Sequence, residues 1–156
     1  MGVTRSSSKP NILFVMTDQQ RFDTIAALGS TELHTPNLDR LVKRGVSCTR
    51  CYSDSPVCVP ARYALHTGRS PLTTGYFQNQ NPVIGEGLAS STEERCGPFL
   101  ARAMGQRGYR TFGIGKFHSH PDPHEDLGFE VYLRSEEADG RPDDYARFVW
   151  KHPAYR

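Results

Sequence analysis

One short segment constrains the fold of this chain more than any other feature of its sequence. Residues 12–16 read Ile-Leu-Phe-Val-Met, an unbroken apolar run that stops at Thr17 and Asp18. A run without polar alternation is typical of a strand covered on both faces, as in the parallel sheets of α/β proteins. Because ligands of such sheets gather at the carboxyl ends of the strands, Asp18 is predicted to lie at the functional edge.

The remaining patterns alternate between helix and strand. Helices are predicted over residues 36–44, 61–68, 97–108 and 142–150, and strands over residues 46–53, 109–115 and 128–133. The predicted apolar face of the third helix consists of Phe99, Leu100, Ala103 and Met104. This order predicts an α/β fold with a partial, mostly parallel sheet flanked by helices. We expect a flexible polar lead over residues 1–10 and a portion of one domain over residues 11–156.

The charge pattern narrows the classes of partner. The chain carries 19 Lys and Arg residues against 17 Asp and Glu residues, a net charge of +2 that is spread along the sequence. A basic patch for nucleic acid or a membrane surface is therefore not expected. The five apolar residues at 12–16 are also too few for a signal peptide or a membrane-spanning helix, so the sequence predicts a cytoplasmic protein.

The four cysteines are expected to be reduced thiols, because no export signal is evident. They are Cys48, Cys51, Cys58 and Cys96. Cys48 and Cys51 form a C-x-x-C pair, which could be a redox pair or half of a zinc site. In an alternating strand, however, their side chains would point to opposite faces. Structural thiols are the favoured interpretation of this pair.

Cys58 lies where a loop is predicted to enter a helix. The first N–H groups of a helix lack partners within it, and its dipole favours negative charge at that end. Arg62 follows one helical turn later on the same face, where its guanidinium could hold an oxyanion. Lys116 and His118 follow directly after another predicted strand. These residues predict an anion site without identifying the anion.

The stretch "CVPARYALHTGR", residues 58–69, resembles the sulfatase signature C-x-P-x-R-x-x-x-x-T-G. The resemblance extends through "PNILFVMTDQ", "HTPNLDRLVKRGV" and "GYRTFGIGKFH", from Pro10 to about Leu133. It implies the N-terminal part of an alkaline-phosphatase-like sulfatase domain. It also implies a small-molecule sulfate ester as substrate.

The resemblance implies that Cys58 is the catalytic residue after conversion to formylglycine by a formylglycine-generating enzyme. In that chemistry one hydroxyl of the hydrated aldehyde attacks sulfur in line with the leaving alcohol and becomes sulfated. The other then loses its proton as the carbonyl reforms and sulfate leaves. A serine has no second hydroxyl for the release step.

The same resemblance assigns roles to the other site residues. Asp18, Gln19 and the modified Cys58 would be ligands of a divalent metal, most often calcium, with magnesium and manganese as alternatives. Arg62 would stabilise residue 58. Lys116 would bind the anion, and His118 would form a hydrogen bond to the nucleophile. Asn79 would bind substrate.

Two departures from the family pattern leave alternatives open. Gln19 stands where many relatives have a second Asp, which looks more like the choline-sulfatase and phosphonate monoester hydrolase branches. The ester would then be a phosphate or phosphonate. No Asp-His or Asp-Asn pair follows Lys116, although the family completes its metal site with one. The sequence therefore predicts the front part of a hydrolase, inactive alone, or a truncated non-catalytic remnant.

Overall fold

The computed structural model describes residues 9–79, 91–119, 125–136 and 143–152. The chain forms two compact units, Met1–Cys51 and Tyr52–Arg156. The second unit combines helices with a small parallel sheet, which confirms the predicted α/β class. The expected polar lead falls mostly outside the described residues.

The first unit is built around helix α1, Pro36–Arg44, as the sequence predicts. Thr35 precedes the helix, but its side chain does not cap it. Its hydroxyl instead donates to Asp39 Oδ1 at 2.8 Å and accepts from the first N–H of a short 3-10 turn, Ala26–Leu28, at 2.9 Å. Asp39 Oδ1 also accepts the second N–H of that turn at 2.9 Å. Two side chains therefore join the turn to the helix.

The predicted strands over residues 12–16 and 46–53 are wrong. Neither segment forms a strand, and the apolar side chains of the first are exposed, from 48% at Met16 to 88% at Leu13. A strand needs a hydrogen-bonded neighbour and covered faces, and within the described ranges neither segment has such a neighbour. Cys48 and Cys51 are free and exposed. Their interpretation as structural thiols is not supported by burial.

Three helices of the second unit confirm sequence predictions. They are α2, Cys58–Thr67, α5, Leu100–Gln106, and α6, Asp144–Lys151. Two short helices were missed, α3, Pro71–Thr74, and α4, Thr92–Cys96. The start of α4 could have been predicted from the sequence, because Ser91 and Glu94 form a capping box there. Across the described ranges, no helix has both the length and the apolar character needed to cross a bilayer.

The sheet of the second unit pairs β1, Phe112–Gly115, with β2, Val131–Arg134. The strands run parallel, with Phe112 opposite Val131 and Gly115 opposite Arg134. The N–H of Ser135 extends the ladder by donating to the Gly115 carbonyl at 2.9 Å. Both strands therefore end at the same edge, and the segments that follow them meet there.

Aromatic residues dominate the core of the second unit. Tyr63 and Tyr76 stack with their ring centroids 3.7 Å apart and 7° between the ring planes. The rest of the buried cluster is Val59, Phe99, Phe117 and Leu127, with Phe129 and Tyr132 packed against it. The predicted face of α5 is partly wrong, since Leu100 is 53% exposed and Ala101 is buried instead. The core thus holds both α2 and the segment that follows β1.

Two glycines of this unit make a matched test of the packing. At Gly128, with φ +86°, an added Cβ would lie 2.6 Å from Arg102 Cβ and 2.8 Å from Arg102 N. Gly128→Ala is therefore expected to lower the free energy of unfolding by about 3 kcal/mol. In α5, nothing lies within 4 Å of a Cβ at Gly105, and Gly105→Ala should raise it by about 0.5 to 1 kcal/mol. Urea unfolding at neutral pH measures both, and equal effects would contradict this packing.

Candidate active site

Cys58 is the first residue of α2 and is half-buried. Val57 precedes it in an extended conformation, with φ −123° and ψ 141°, so the chain turns into the helix at Cys58. Val59 is fully buried and holds the first turn in the core. Pro60 fits this turn because the first N–H groups of a helix have no carbonyl partner within it. The predicted junction of loop and helix is therefore confirmed.

Asn79 completes the start of this helix from 20 residues away. Its side-chain oxygen accepts the N–H of Val59 at 2.9 Å. Since Pro60 has no N–H, two of the first three helical positions offer no open donor to an anion. The structure thus brings Asn79 next to Cys58, with its carboxamide oxygen engaged by the helix. The predicted role of Asn79 in binding substrate stays a prediction.

Arg62 joins α2 to the end of β1. Its side chain is buried, and Nη1 donates a hydrogen bond to the carbonyl oxygen of Lys116, the residue directly after β1. Two residues predicted to share a site are therefore in contact through the Lys116 backbone.

The segment from Lys116 to His118 is held by a residue that the sequence analysis missed. The N–H groups of Phe117 and His118 donate to Oε1 and Oε2 of Glu136, each at 2.9 Å. His118 has φ +51°, in the left-handed region that residues other than glycine rarely adopt. Glu136 lies just past β2, so the rule that parallel strands end at one edge could have suggested it.

Asp18 and Gln19 belong to the first unit, whereas the other predicted site residues belong to the second. Both are exposed, and Gln19 has φ +46°. Carboxylate and amide oxygens are hard donors that suit calcium or magnesium. In the part of the chain that the structure describes, no three His, Cys, Asp or Glu side chains form a metal-binding group. The donor chemistry of Asp18 and Gln19 fits such an ion, and their role as metal ligands stays a prediction.

His66 is a half-buried residue of α2 that the sequence analysis did not use. Its ring lies 6.5 Å from the Phe117 ring and 6.1 Å from the Phe129 ring, measured between centroids. Burial, and secondarily the charge of Arg62, lower the pKa of His66 from 6.5 to about 4. The imidazole is therefore neutral at physiological pH and packs against the rings of Phe117 and Phe129.

The family profile described as "Sulfatase" matches residues 10–151, nearly the whole chain. The chain belongs to the sulfatase family. The sulfatase signature lies on α2, from Cys58 at its first residue to the left-handed Gly68, with φ +66°, just after its last residue.

Named sulfatases are among the similar proteins. An ulvan-active sulfatase of Formosa agariphila is 39% identical over 111 residues, covering 71% of this chain and 20% of that protein. Homo sapiens steryl-sulfatase is 33% identical over 130 residues, which cover 81% of this chain and 22% of that protein. Sus scrofa N-acetylgalactosamine-6-sulfatase is 30% identical over 147 residues, which cover 86% of this chain and 27% of that protein. The chain spans between 20% and 27% of the length of these three sulfatases.

The half-buried imidazole of His66 should make stability depend on pH. Its pKa is about 4 in the folded chain and 6.5 ordinarily, so the unfolded chain binds a proton more readily between these values. The stabilisation is complete above pH 6.5 and is lost as the pH falls towards 4. Between pH 7.5 and about 5, the unfolding free energy should fall by about 2 kcal/mol more in the wild type than in His66→Leu.

Chemical denaturation over this pH range measures the difference. The control is His34→Leu, at an exposed histidine, which should keep the wild-type pH dependence. A His66→Leu curve parallel to that of the wild type would contradict the lowered pKa of this imidazole.

The contact of Asn79 with α2 predicts a second stability effect. Asn79→Ala removes the acceptor for the Val59 N–H and should lower the unfolding free energy by about 1 kcal/mol. Asn79→Asp keeps an acceptor at the positive end of the helix dipole and should remain close to wild type. Urea unfolding at pH 7 compares the variants. Equal stability of the Ala and Asp variants would show that the bond contributes nothing.

Proposed function

We propose that this sulfatase-family protein hydrolyses sulfuric esters with a nucleophile made from Cys58. The observation that carries the proposal is the hydrogen bond from Arg62, one turn after Cys58 on α2, to the backbone of Lys116. This bond supports a site in which the nucleophile and the residues after β1 act on the same anion. Because the chain spans 27% or less of these sulfatases, the proposal concerns the whole protein's activity.

The proposal gives each residue of the second unit a role. Lys116 binds the negatively charged sulfate group, and His118 holds the nucleophile by a hydrogen bond. Arg62 stabilises residue 58 and also fixes the Lys116 backbone. Asn79 keeps the helix start in place through Val59 and binds substrate. These assignments follow the resemblance to the family, and the contacts of Arg62 with Lys116 and of Asn79 with Val59 support the positions they require.

In this proposal a formylglycine-generating enzyme, using dioxygen as the oxidant, converts Cβ of Cys58 to an aldehyde carbon, and the sulfur is lost. The hydrated aldehyde supplies two hydroxyl groups. One attacks sulfur while the bond between sulfur and the ester oxygen breaks and the alcohol leaves, and the other then loses its proton as the carbonyl reforms and sulfate is released. Asp18 and Gln19 would hold a divalent metal, with calcium preferred over magnesium or manganese, and residue 58 would be a further ligand. Such an ion polarises the sulfate oxygens when it is bound. We expect little or no turnover from these 156 residues alone.

A phosphate or phosphonate ester is the second candidate substrate, and Gln19 is the observation that favours it. An amide oxygen contributes less negative charge to a metal site than the second Asp of many relatives. This is the pattern of the choline-sulfatase and phosphonate monoester hydrolase branches. The sulfatase names of the three relatives support the sulfate ester. Matched aryl sulfate, phosphate and phosphonate esters, offered to the converted whole protein, distinguish the substrates.

Conversion of Cys58 is the deciding experiment. After co-expression with a formylglycine-generating enzyme, mass spectrometry of the tryptic peptide from Cys51 to Arg62 should show an aldehyde in place of the Cys58 thiol. Cys51 lies in the same peptide and must stay a thiol, which provides an internal control. Arg62→Ala should reduce conversion because it removes part of the signature. Because this variant also loses the tryptic site at residue 62, its longer peptide is the one compared.

The opposite result has a clear meaning. An unmodified Cys58 in the native host, with the modifying enzyme present, would reject the formylglycine mechanism. It would favour the alternative of a non-catalytic member of the family.

A further inference from the structure

The backbone after β1 forms a turn of the kind that binds anions, and a carboxylate of the protein itself occupies it. Successive N–H groups of Phe117 and His118 converge on the two oxygens of Glu136, each at 2.9 Å. Converging backbone N–H groups of this kind form an anion-binding concavity, and bonds to a carboxylate are stronger than bonds to a neutral acceptor. The left-handed conformation of His118, φ +51°, is part of the turn.

Glu136 is itself held from the other side. Its N–H donates to Asp143 Oδ2 at 2.8 Å, while Asp143 Oδ1 caps α6 by accepting the Ala146 N–H at 2.7 Å. Arg134, at the end of β2, donates its N–H to Asp144 Oδ2 at 2.9 Å. The start of α6 therefore fixes the chain on both sides of residue 135, and this places the Glu136 carboxylate.

The contacts restrict what the turn can do. Both N–H groups are already bonded to Glu136, so an anion at this edge must be held by side chains such as Lys116. Two bonds from adjacent amides to one carboxylate also define the rotation of the peptide between Phe117 and His118. The direction in which His118 leaves the backbone depends on that rotation.

We infer that Glu136 is a positioning residue, which sets the backbone from Lys116 to His118 so that these two side chains can hold an anion. This inference rests on the proposed function for its consequence at the anion site. Its structural part, the carboxylate bonded to two amides, is independent of Cys58 conversion and of any metal. The two parts can therefore be tested separately.

The first measurement is spectroscopic. In the isotope-labelled full chain, the amide proton resonances of Phe117 and His118 should lie downfield, as expected for bonds to a carboxylate. Glu136→Gln should move both upfield, and Glu136→Asp, which keeps the charge on a shorter side chain, should shift them as well. The matched control is Glu130→Gln, because Glu130 pairs with Arg110 at the opposite end of the same strands, at 2.7 Å, and is exposed.

The second measurement is a titration with inorganic sulfate, followed at the resonances of Lys116 and His118. We expect Glu136→Gln to weaken sulfate binding by about tenfold, because a small misplacement of binding groups is costly, and Glu130→Gln to leave it unchanged. If Glu136→Gln does not fold, Glu136→Asp takes its place in both measurements.

The results separate the two proposals. The inference would be overturned if both amide protons of folded Glu136→Gln kept their wild-type chemical shifts. It would also be overturned if these chemical shifts changed while the affinity for sulfate did not. Absence of sulfate binding by the wild type at Lys116 and His118 would count against the proposed anion contacts instead. The amide shifts would then decide alone whether Glu136 positions the segment.

Discussion

The organisation of the second unit depends on the hydrogen bond from buried Arg62 to the Lys116 carbonyl. A guanidinium removed from water is destabilising unless its donors meet acceptors, so the acceptor position is tightly constrained. Here the acceptor lies 54 residues further along the chain, just past β1. One bond thereby ties the helix that begins with Cys58 to the segment that carries Lys116 and His118.

The aromatic core holds the segment from Lys116 to His118 in place through Phe117. Phe117, between Lys116 and His118, makes edge-to-face contacts with Phe129 and Tyr132 at centroid distances of 5.7 and 5.2 Å. The guanidinium carbon of Arg134 lies 5.4 Å from the centre of the Phe117 ring. Each such contact contributes about 1 kcal/mol. Because the middle residue is anchored, the two polar residues beside it cannot move independently of the core.

Acidic side chains complete the edge where the two strands end. A sheet of two strands leaves N–H groups beyond its ladder without strand partners, and buried N–H groups require acceptors. Glu136 accepts from Phe117 and His118, Asp144 accepts from Arg134 at the end of β2, and Asp143 accepts from Glu136 just past it. This explains why carboxylates lie close to a site proposed to bind anions. Their lone pairs are used by the backbone.

The sequence by itself determined the family, the four longer helices α1, α2, α5 and α6, and the position of Cys58 at a helix start. Those features depend on side chains near each other in sequence, as in α1, with Pro36 at its start, and α2, with Gly68 after its end. It did not determine whether residues 12–16 form a strand, because an apolar run becomes a strand only when neighbours pair with it. The contacts of Arg62, Asn79 and Glu136 join residues 18 to 54 positions apart, so only tertiary structure could decide them.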